Sequence, residues 1–378
     1  MNDKKIQIFS NSVGEEELNA VKEVFESKWL FFGNKTKTFE EEFAQKIKSN
    51  KFLFTNGCTN SIHMCLQALE IGIDDEVIMP SNIFMSCPSS VLILRGRPIF
   101  CDVERETNNI DIEHCKTLIT NKTKAIIILH YGGFPCKFDE LKEIAGDIPI
   151  IEDSANSTYS FYKGKLCGTL GTFGCFSFDA MKILCCGEGG GISVNDDRYL
   201  NKLLNLRFLG LPPNSSGAKL SQNNKRWWIT ELDCPGIKHV NCDIQAAIMI
   251  EQLKKLDSFI NRRNQITKLY DNILGKNNYI TLQPKNTEEL ISNHYFYWIK
   301  VDEKYRDNLI NYLKDNNVYC TVKYWPLHLT KLFKTEQKLN VVEKNIEQII
   351  NLPIHQNITD EDVKLICNLI NDFFMKYI

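Results

Sequence analysis

The strongest constraint on the fold of this chain is a set of short apolar runs in which apolar and polar residues do not alternate. Residues 124–129 (KAIIIL) and 148–152 (IPIIE) are the clearest examples. A strand with one solvated face alternates, so these runs indicate strands that are covered on both faces. Further strands are expected at 52–54, 76–80 and 98–102, with helical patterns ending at 69 and spanning 86–94 and 138–144. The order predicts an α/β fold with a mainly parallel central sheet and helices on both faces.

Small or polar residues follow the ends of several of these expected strands. They are Gly57, the turn at 81–84, His130 and Asp153. In a parallel sheet the carboxyl ends of the strands lie at one edge, where ligands collect. We therefore expect these positions to converge on one site.

The rest of the chain predicts a helical N-terminal segment and a smaller C-terminal unit. A helix is expected at 13–28, with Leu18, Val21, Val24 and Phe25 on its apolar face, and a second helix carries Phe39, Phe43 and Ile47. The elements expected after residue 190 are a strand at 191–194, a helix at 197–206, a long loop at 210–236 containing Trp227 and Trp228, a helix at 245–269, strands at 295–301 and 318–322, and helices at 306–315 and 360–375. The length of 378 residues suits two domains. We expect a large ligand-binding domain at 1–250 and a small α+β domain at 251–378.

Composition excludes several classes of protein. The net charge of −2 offers no field for nucleic acid or an acidic membrane surface. No apolar stretch approaches the ~18 residues of a membrane span, and the polar N-terminus lacks a signal-peptide core. The 14 cysteines contain no C-x-x-C pair, so reduced, mostly buried thiols in the cytoplasm are expected. The histidines His114, His130, His294, His328 and His355 have no metal-ligand spacing.

Lys182 carries the most specific chemical suggestion in the sequence. It follows Ser177 in the segment FSFDAMK, just before the glycine run at 187–191, and Asp153 leaves a buried strand upstream. A carboxylate at the end of a buried strand, followed by a serine and a lysine on a turn beyond it, suggests a cofactor aldehyde held by the lysine as a Schiff base. The turn around Gly57 between strand and helix could present free backbone N–H groups to an anion, although it has no dinucleotide or Walker pattern.

An ordered set of motifs resembles the DegT/DnrJ/EryC1/StrS sugar aminotransferases, which are fold-type I enzymes dependent on pyridoxal phosphate (PLP). The resemblance extends over nearly the whole chain. The matching segments are IEDSAN (151–156), GTLG (168–171), CFSF (175–178), Lys182 and GEGG (187–190), with DEVIMPS (75–81), HYG (130–132), QAA (245–247), PLH (326–328) and LPIH (352–355) in family order.

The resemblance implies roles for residues in contact with the cofactor. Lys182 would bind the PLP aldehyde and then shuttle a proton, and Asp153 would pair with the pyridine nitrogen. The Gly57 and Cys58 amides and the Ser177 hydroxyl would hold the phosphate.

Three further positions complete the implied cofactor site, two of them with departures from the family. Phe84 would stack on the pyridine ring. Asn156 stands where the family often has glutamine, which puts its contact with the phenolic oxygen in doubt. Lys238 occupies a position, commonly asparagine, that reaches the phosphate from the neighbouring subunit. A third departure is Cys58 itself, which lacks the hydroxyl that the family often has there.

The resemblance also implies the reaction. We expect transfer of an amino group from an amino-acid donor, glutamate, to a nucleotide-linked keto-deoxysugar, with C4 favoured over C3. The product would be an amino sugar for a surface glycan such as the O-antigen of lipopolysaccharide. Homodimers with shared active sites are implied, and the aromatic segment at 29–32 and the loop at 210–236 are candidates for the interface or the substrate pocket.

Rival functions stay open at this point. A scyllo-inosose aminotransferase shares all these residues, and the departures leave room for a smaller, phosphorylated ketone. A PLP-dependent sugar dehydratase is disfavoured because Lys182 is present, where that branch has histidine. A non-catalytic sensor or regulator would be expected to lose Lys182 or Asp153.

Overall fold

The computed structural model describes residues 5–212 and 231–377. Eleven α-helices are found in these ranges: α1 Glu15–Ser27, α2 Asn34–Ile47, α3 Cys58–Ala68, α4 Ser86–Ile93, α5 Ile112–Leu118, α6 Phe138–Ala145, α7 Leu200–Arg207, α8 Asp243–Leu274, α9 Glu303–Asp315, α10 Asn340–Gln348 and α11 Asp360–Tyr377. The strands there are β1 Phe52–Thr55, β2 Glu76–Pro80, β3 Arg97–Cys101, β4 Thr123–Leu129, β5 Ile150–Asp153, β6 Phe161–Tyr162, β7 Lys165–Leu166, β8 Phe173–Ser177, β9 Gly190–Val194, β10 Thr281–Leu282, β11 Leu290–Ile291, β12 Tyr297–Lys300 and β13 Ile349–Leu352.

The central sheet has seven strands in the order β1-β9-β8-β5-β4-β2-β3. Only β9 runs against the others, since it pairs antiparallel with both β1 and β8. The side chains of β4 show why apolar and polar residues do not alternate along these strands. Ile127 packs into the core on one face and Ile126 and Ile128 into the core on the other. The expected α/β fold with a mainly parallel sheet is confirmed.

The C-terminal part of the chain has a core of its own. A three-stranded antiparallel sheet, β10-β12-β13, packs with α9 and α11 around residues such as Leu309, Ile350 and Ile366. Helix α8 spans 32 residues and contributes Leu256 to the core of the large sheet and Tyr270 to this second core. The domain boundary after residue 250 would fall inside α8 and stays a prediction.

Two expectations about the elements are wrong. Leu18 and Phe25 are 61% and 59% exposed. Val24 is buried as expected, but it shares the buried face of α1 with Glu17, whose carboxylate accepts hydrogen bonds from Gly14 N, Gln252 and Lys255. Residues 318–322 form no strand. They make only isolated bridges, since β13 takes the place beside β12.

Smaller differences concern turns and the central loop. The helix expected at 197–206 begins at Leu200, after a single 3₁₀ turn, and β5 extends to Asp153 itself. Most of the loop expected at 210–236, including Trp227 and Trp228, lies outside the described residues. No helix within the described ranges has both the length and the apolar character needed to cross a membrane.

Candidate active site

Three parallel strands of the central sheet bring predicted site residues to one edge. Gly57 follows β1, Ser177 ends β8 and Asp153 ends β5, and these strands run in the same direction. Gly190 begins the opposing strand β9 and pairs with Ser177 on one side and Thr55 on the other. Because β9 is antiparallel to both β1 and β8, those two strands end at the same edge of the sheet. The turn at Gly57 and the residue Ser177 therefore lie on either side of Gly190 at the carboxyl edge.

The Lys182 side chain is half-buried and has two oxygen partners. Its Nζ lies 3.4 Å from Asn156 Oδ1 and 3.3 Å from the Tyr295 hydroxyl oxygen. It also lies 4.7 Å from the centre of the Tyr295 ring. Both oxygen partners are neutral groups, so the amine is oriented without an ion pair in the described part of the chain. An amine held in this way is available to react with a carbonyl carbon.

Asp153 is fully buried next to this lysine. Burial is the main cause that raises the pKa of its carboxyl group, and the Ala155 amide and the charge of Lys182 act in the opposite direction. Oδ1 accepts the Ala155 N–H over 3.1 Å, whereas the partner of Oδ2 within the described ranges is the Cys87 thiol at 3.6 Å. A buried carboxylate with one weakly satisfied oxygen suits a cationic ligand group such as a protonated ring nitrogen.

The turn at Gly57 forms the start of α3, with Gly57 as the N-cap and Cys58 as the first helical residue. The backbone packs closely there, because a Cβ on Gly190 would lie 2.3 Å from Cys58 N. Burial raises the pKa of the Cys58 thiol well above its usual value, so the thiol adds no negative charge. A helix N-terminus with a neutral thiol and the Ser177 hydroxyl beside it suits a phosphate.

Asn156 and Phe84 complete this side of the site. Asn156 directs Oδ1 at Lys182, and among the described residues its buried Nδ2 makes no hydrogen bond of normal length, although the side chain lies close to the Tyr324 hydroxyl. A buried donor of this kind calls for an explanation, and a ligand oxygen would supply one. Phe84 is 45% exposed, so it does not serve core packing. Its ring and that of Tyr324 are in an edge-to-face arrangement with the ring centres 6.1 Å apart.

Two further predicted positions are Lys238, which was expected to reach the site of another subunit, and His130, which lies close to Asp153. Lys238 is exposed, and its Nζ packs 4.5 Å from the centre of the Phe31 ring. Its contact with a phosphate in another subunit stays a prediction. His130 is buried, where its Nε2 lies 2.9 Å from Glu152 Oε2 and its Nδ1 accepts the Cys136 N–H. His130 thus stabilises the segment before Asp153. No group of three potential metal ligands occurs among the described residues.

Sequence reasoning missed four residues at this site: Tyr295, Asn293, Tyr324 and Lys323. Tyr295 stands just before β12, and the others lie in irregular segments. Burial lowers the pKa of Lys323 and raises that of Tyr324, and the positive charge of Lys182 lowers both, which links these two residues to the site. The sequence gives no periodic signal for such positions. The PLH motif at 326–328, two residues beyond Tyr324, was the one available pointer to this segment.

Comparisons with known proteins show similarity along almost the whole chain. The chain is 33% identical to the dTDP-4-dehydro-2,3,6-trideoxy-D-glucose 4-aminotransferase of Saccharopolyspora spinosa, over 96% of this chain and 95% of that protein. The crystal structure of the aminotransferase TlmJ from Streptoalloteichus hindustanus superposes with a TM-score of 0.93 at 33% identity, over 99% of this chain and all of that one.

A third relative has been solved with a cofactor. The PLP form of the putative sugar aminotransferase Spr1654 from Streptococcus pneumoniae has a TM-score of 0.91 at 25% identity, over 99% of this chain and 100% of that chain. The model of the DegT/DnrJ/EryC1/StrS aminotransferase family matches residues 11–371. The chain therefore belongs to the DegT/DnrJ/EryC1/StrS aminotransferase family.

Proposed function

We propose that this PLP-dependent sugar aminotransferase transfers the amino group of glutamate to C4 of a nucleotide-linked keto-deoxysugar. The observation that carries the choice of C4 is the match, along almost the whole chain, to the Saccharopolyspora 4-aminotransferase. The amino sugar formed would serve glycan or glycoside synthesis.

The residues at the sheet edge fit PLP. The buried, weakly satisfied Oδ2 of Asp153 suits the pyridine N–H, and the start of α3 with Ser177 suits the phosphate. Asn156 Nδ2, which makes no hydrogen bond of normal length among the described residues, suits the phenolic oxygen, although the side chain is one methylene shorter than glutamine. Phe84 offers an exposed ring for stacking. PLP supplies an aldehyde carbon that takes up the amino group and a ring that accepts electrons.

Each side chain would then have a separate task. Lys182 binds the aldehyde and, once released, moves the proton between the donor carbon and the cofactor. Asn156 and Tyr295 hold its amine in place for that transfer. Asp153 keeps a proton on the ring nitrogen, because a buried carboxylate is stabilised by an adjacent cation. The aromatic residues around Lys182 limit the access of water.

We also propose that two copies of the chain form a dimer with shared sites. The aromatic residues Trp29 and Phe31 are exposed, and Phe31 packs against the exposed Lys238, which is unusual for a surface that faces only water. In a dimer these residues would be covered, and Lys238 would reach the phosphate of the partner site. Sedimentation analysis of the wild type and of Lys238→Ala, with PLP affinity measured in parallel, tests this arrangement. A monomeric wild type with full PLP affinity would contradict it.

The substrate is tested with half-reactions. Holoenzyme is mixed with single nucleotide-linked amino sugars that differ in nucleotide and in the aminated carbon, and the loss of the visible band of bound PLP is followed. We expect a 4-amino sugar to discharge the band and its 3-amino isomer to react far more slowly. Preference for the 3-amino isomer would overturn the choice of C4. Inertness toward all nucleotide sugars would favour scyllo-inosose or a smaller ketone.

A further inference from the structure

Lys323 is a cation at the edge of the site whose surroundings are not acidic. Its Nζ lies 5.0 Å from the ring centre of Phe9, 6.0 Å from that of Phe296 and 5.7 Å from that of Tyr324. Among the described residues, none makes a hydrogen bond or ion pair with this ammonium group. The side chain is only half-buried, so a ligand can reach it.

The backbone of Lys323 is fixed on both sides. Its N–H donates to Asn351 Oδ1 over 3.0 Å, and its carbonyl accepts a hydrogen bond from the Tyr131 hydroxyl. Tyr131 is itself buried in the core of the large sheet. A cation on an anchored backbone loses little additional freedom when it binds a ligand, which favours a recognition role.

Lys323 and Lys182 lie against the same aromatic wall. Lys182 packs on Tyr295, whose ring stacks on Phe9 with centres 6.3 Å apart, and Lys323 packs on Phe9. Burial lowers the pKa of Lys323, and the positive charge of Lys182 lowers it further. Asp179 is the acid that acts in the opposite direction, but only as the third and smallest cause. Two cations near one another without an acid in contact create a site that favours an anion.

We propose that Lys323 binds the α-carboxylate of the amino donor. This inference rests on the proposed function, because it assumes that an amino acid supplies the amino group at Lys182. In an amino acid the carboxylate carbon lies about 2.5 Å from the amine nitrogen, given ordinary bond lengths and angles. When the donor amine reaches the carbon that Lys182 binds, its carboxylate must therefore lie within the same aromatic pocket. Lys323 is a half-buried cation on that wall, whereas Arg263, whose charge also acts on Tyr295, is fully buried and donates to the backbone carbonyls of His294 and Tyr295.

The alternative ligand for Lys323 is the diphosphate of the nucleotide sugar. A sugar ring separates that diphosphate from a C4 ketone, so the diphosphate lies farther from Lys182 than a carboxylate does. Lys323 packs against the same group of aromatic residues as Lys182, so it suits the carboxylate, which is the nearer of the two anions. Loss of a charge-assisted hydrogen bond between Lys323 and the carboxylate should weaken donor binding about 10-fold or more.

The test compares Lys323→Gln and Lys323→Arg with the wild type in the first half-reaction. Holoenzyme is titrated with glutamate, and the change of the cofactor band gives an apparent Kd. Binding of dTDP is measured separately by calorimetry, and retention of PLP by dialysis. Lys304→Gln is the matched control, because Lys304 also packs on a ring, that of Tyr305 at 4.7 Å, but on the surface.

We expect Lys323→Gln to raise the Kd for glutamate about 10-fold or more, and Lys323→Arg to recover part of the loss. PLP retention and dTDP affinity should stay at the wild-type level, as should all values for Lys304→Gln. An unchanged Kd for glutamate would overturn the proposal, as would a loss of dTDP affinity or of PLP. A wild type that responds to glutamate but to no nucleotide sugar would refute the proposed substrate and leave this test valid. A wild type inert to glutamate would overturn both.

Discussion

The side-chain amide of Asn293 donates a hydrogen bond to the backbone carbonyl of Asn156 over 3.0 Å. The Oδ1 atom of the same amide accepts the N–H of Tyr295 over 2.9 Å. Asn156 and Tyr295 are the two residues that contact Lys182 Nζ. A single buried amide outside the catalytic contacts therefore positions both partners of the lysine.

We expect Asn293→Asp to impair both stability and catalysis. Aspartate keeps the acceptor for Tyr295 N–H but loses the donors to the carbonyls of Asn156 and Thr158. Unfolding in urea should show a loss of about 1–3 kcal/mol, the usual cost of unsatisfied buried groups. The rate of the glutamate half-reaction should fall about 10-fold, because small misplacements at a reacting atom are costly. Asn277→Asp, a surface counterpart bonded to Asn371, should change neither value appreciably. A destabilised variant with an unchanged rate would show that Asn293 does not position Lys182.

Tyr295→Phe separates the hydroxyl from the ring at Lys182. The ring contact remains, but one of the two oxygen partners of Nζ is lost. The rate of the half-reaction should fall about 10-fold while the cofactor band persists, because losing one hydrogen bond to a charged group costs about 1.5 kcal/mol or more. Lys182→Ala should abolish the band altogether. The Tyr297 hydroxyl donates a hydrogen bond to Asp271 in the second core, so the control variant Tyr297→Phe should retain the wild-type rate. If Tyr295→Phe also retained it, the hydroxyl would have no role at the amine.

Asp153 links the site to the pH dependence of stability. Burial raises the pKa of its carboxyl group above the ordinary value of 3.8, so the folded protein binds more protons on it than the unfolded chain does. The contribution of this group to stability therefore decreases as the pH rises through the folded-state pKa. Without PLP, Asp153→Asn should be more stable than the wild type at pH 7, and the difference should vanish below the unfolded-state pKa.

The same substitution should destroy catalysis, by about 100-fold or more, because asparagine cannot keep a proton on the ring nitrogen. Urea unfolding of the apoprotein across a pH series, together with single-turnover rates of the holoenzyme, measures both effects. If the apoprotein of Asp153→Asn were less stable than the wild type at pH 7, burial of the ionised Asp153 carboxylate would not be destabilising as proposed.

Gly190→Ala should weaken PLP binding through the backbone alone. The added Cβ would lie 2.3 Å from Cys58 N and from the carbonyl carbon of Gly57, so the turn at the start of α3 must move. The dissociation constant of PLP, measured by fluorescence or dialysis, should rise about 10-fold or more, equivalent to about 1.4 kcal/mol. At Gly72 an added Cβ meets no atom closer than 4.0 Å, so Gly72→Ala is the control and should bind PLP normally. Normal affinity in Gly190→Ala would exclude this turn as the phosphate site.

The order of strands and helices was predictable because burial on both faces leaves a local pattern. The uninterrupted run of β4 and the position of Asp153 at the end of β5 were both readable, and the structure confirms them. The helix α1 was also predicted, but its exposed Leu18 and Phe25 were not. Their exposure depends on α8, which turns the Glu17 face of α1 inward by hydrogen bonds from distant residues.

By itself the sequence determined the fold class, the strand ends that carry Gly57 and Asp153, and the family to which Lys182 and its motifs point. These depend on local patterns of burial and on short ordered motifs. Only the tertiary structure decided what surrounds the lysine. Tyr295 lies in an irregular segment 113 positions from Lys182 in the sequence, and Lys323 lies in another segment that is farther still. Contacts of this kind arise when two separate cores pack together along α8, and no local periodicity records which side chains then meet.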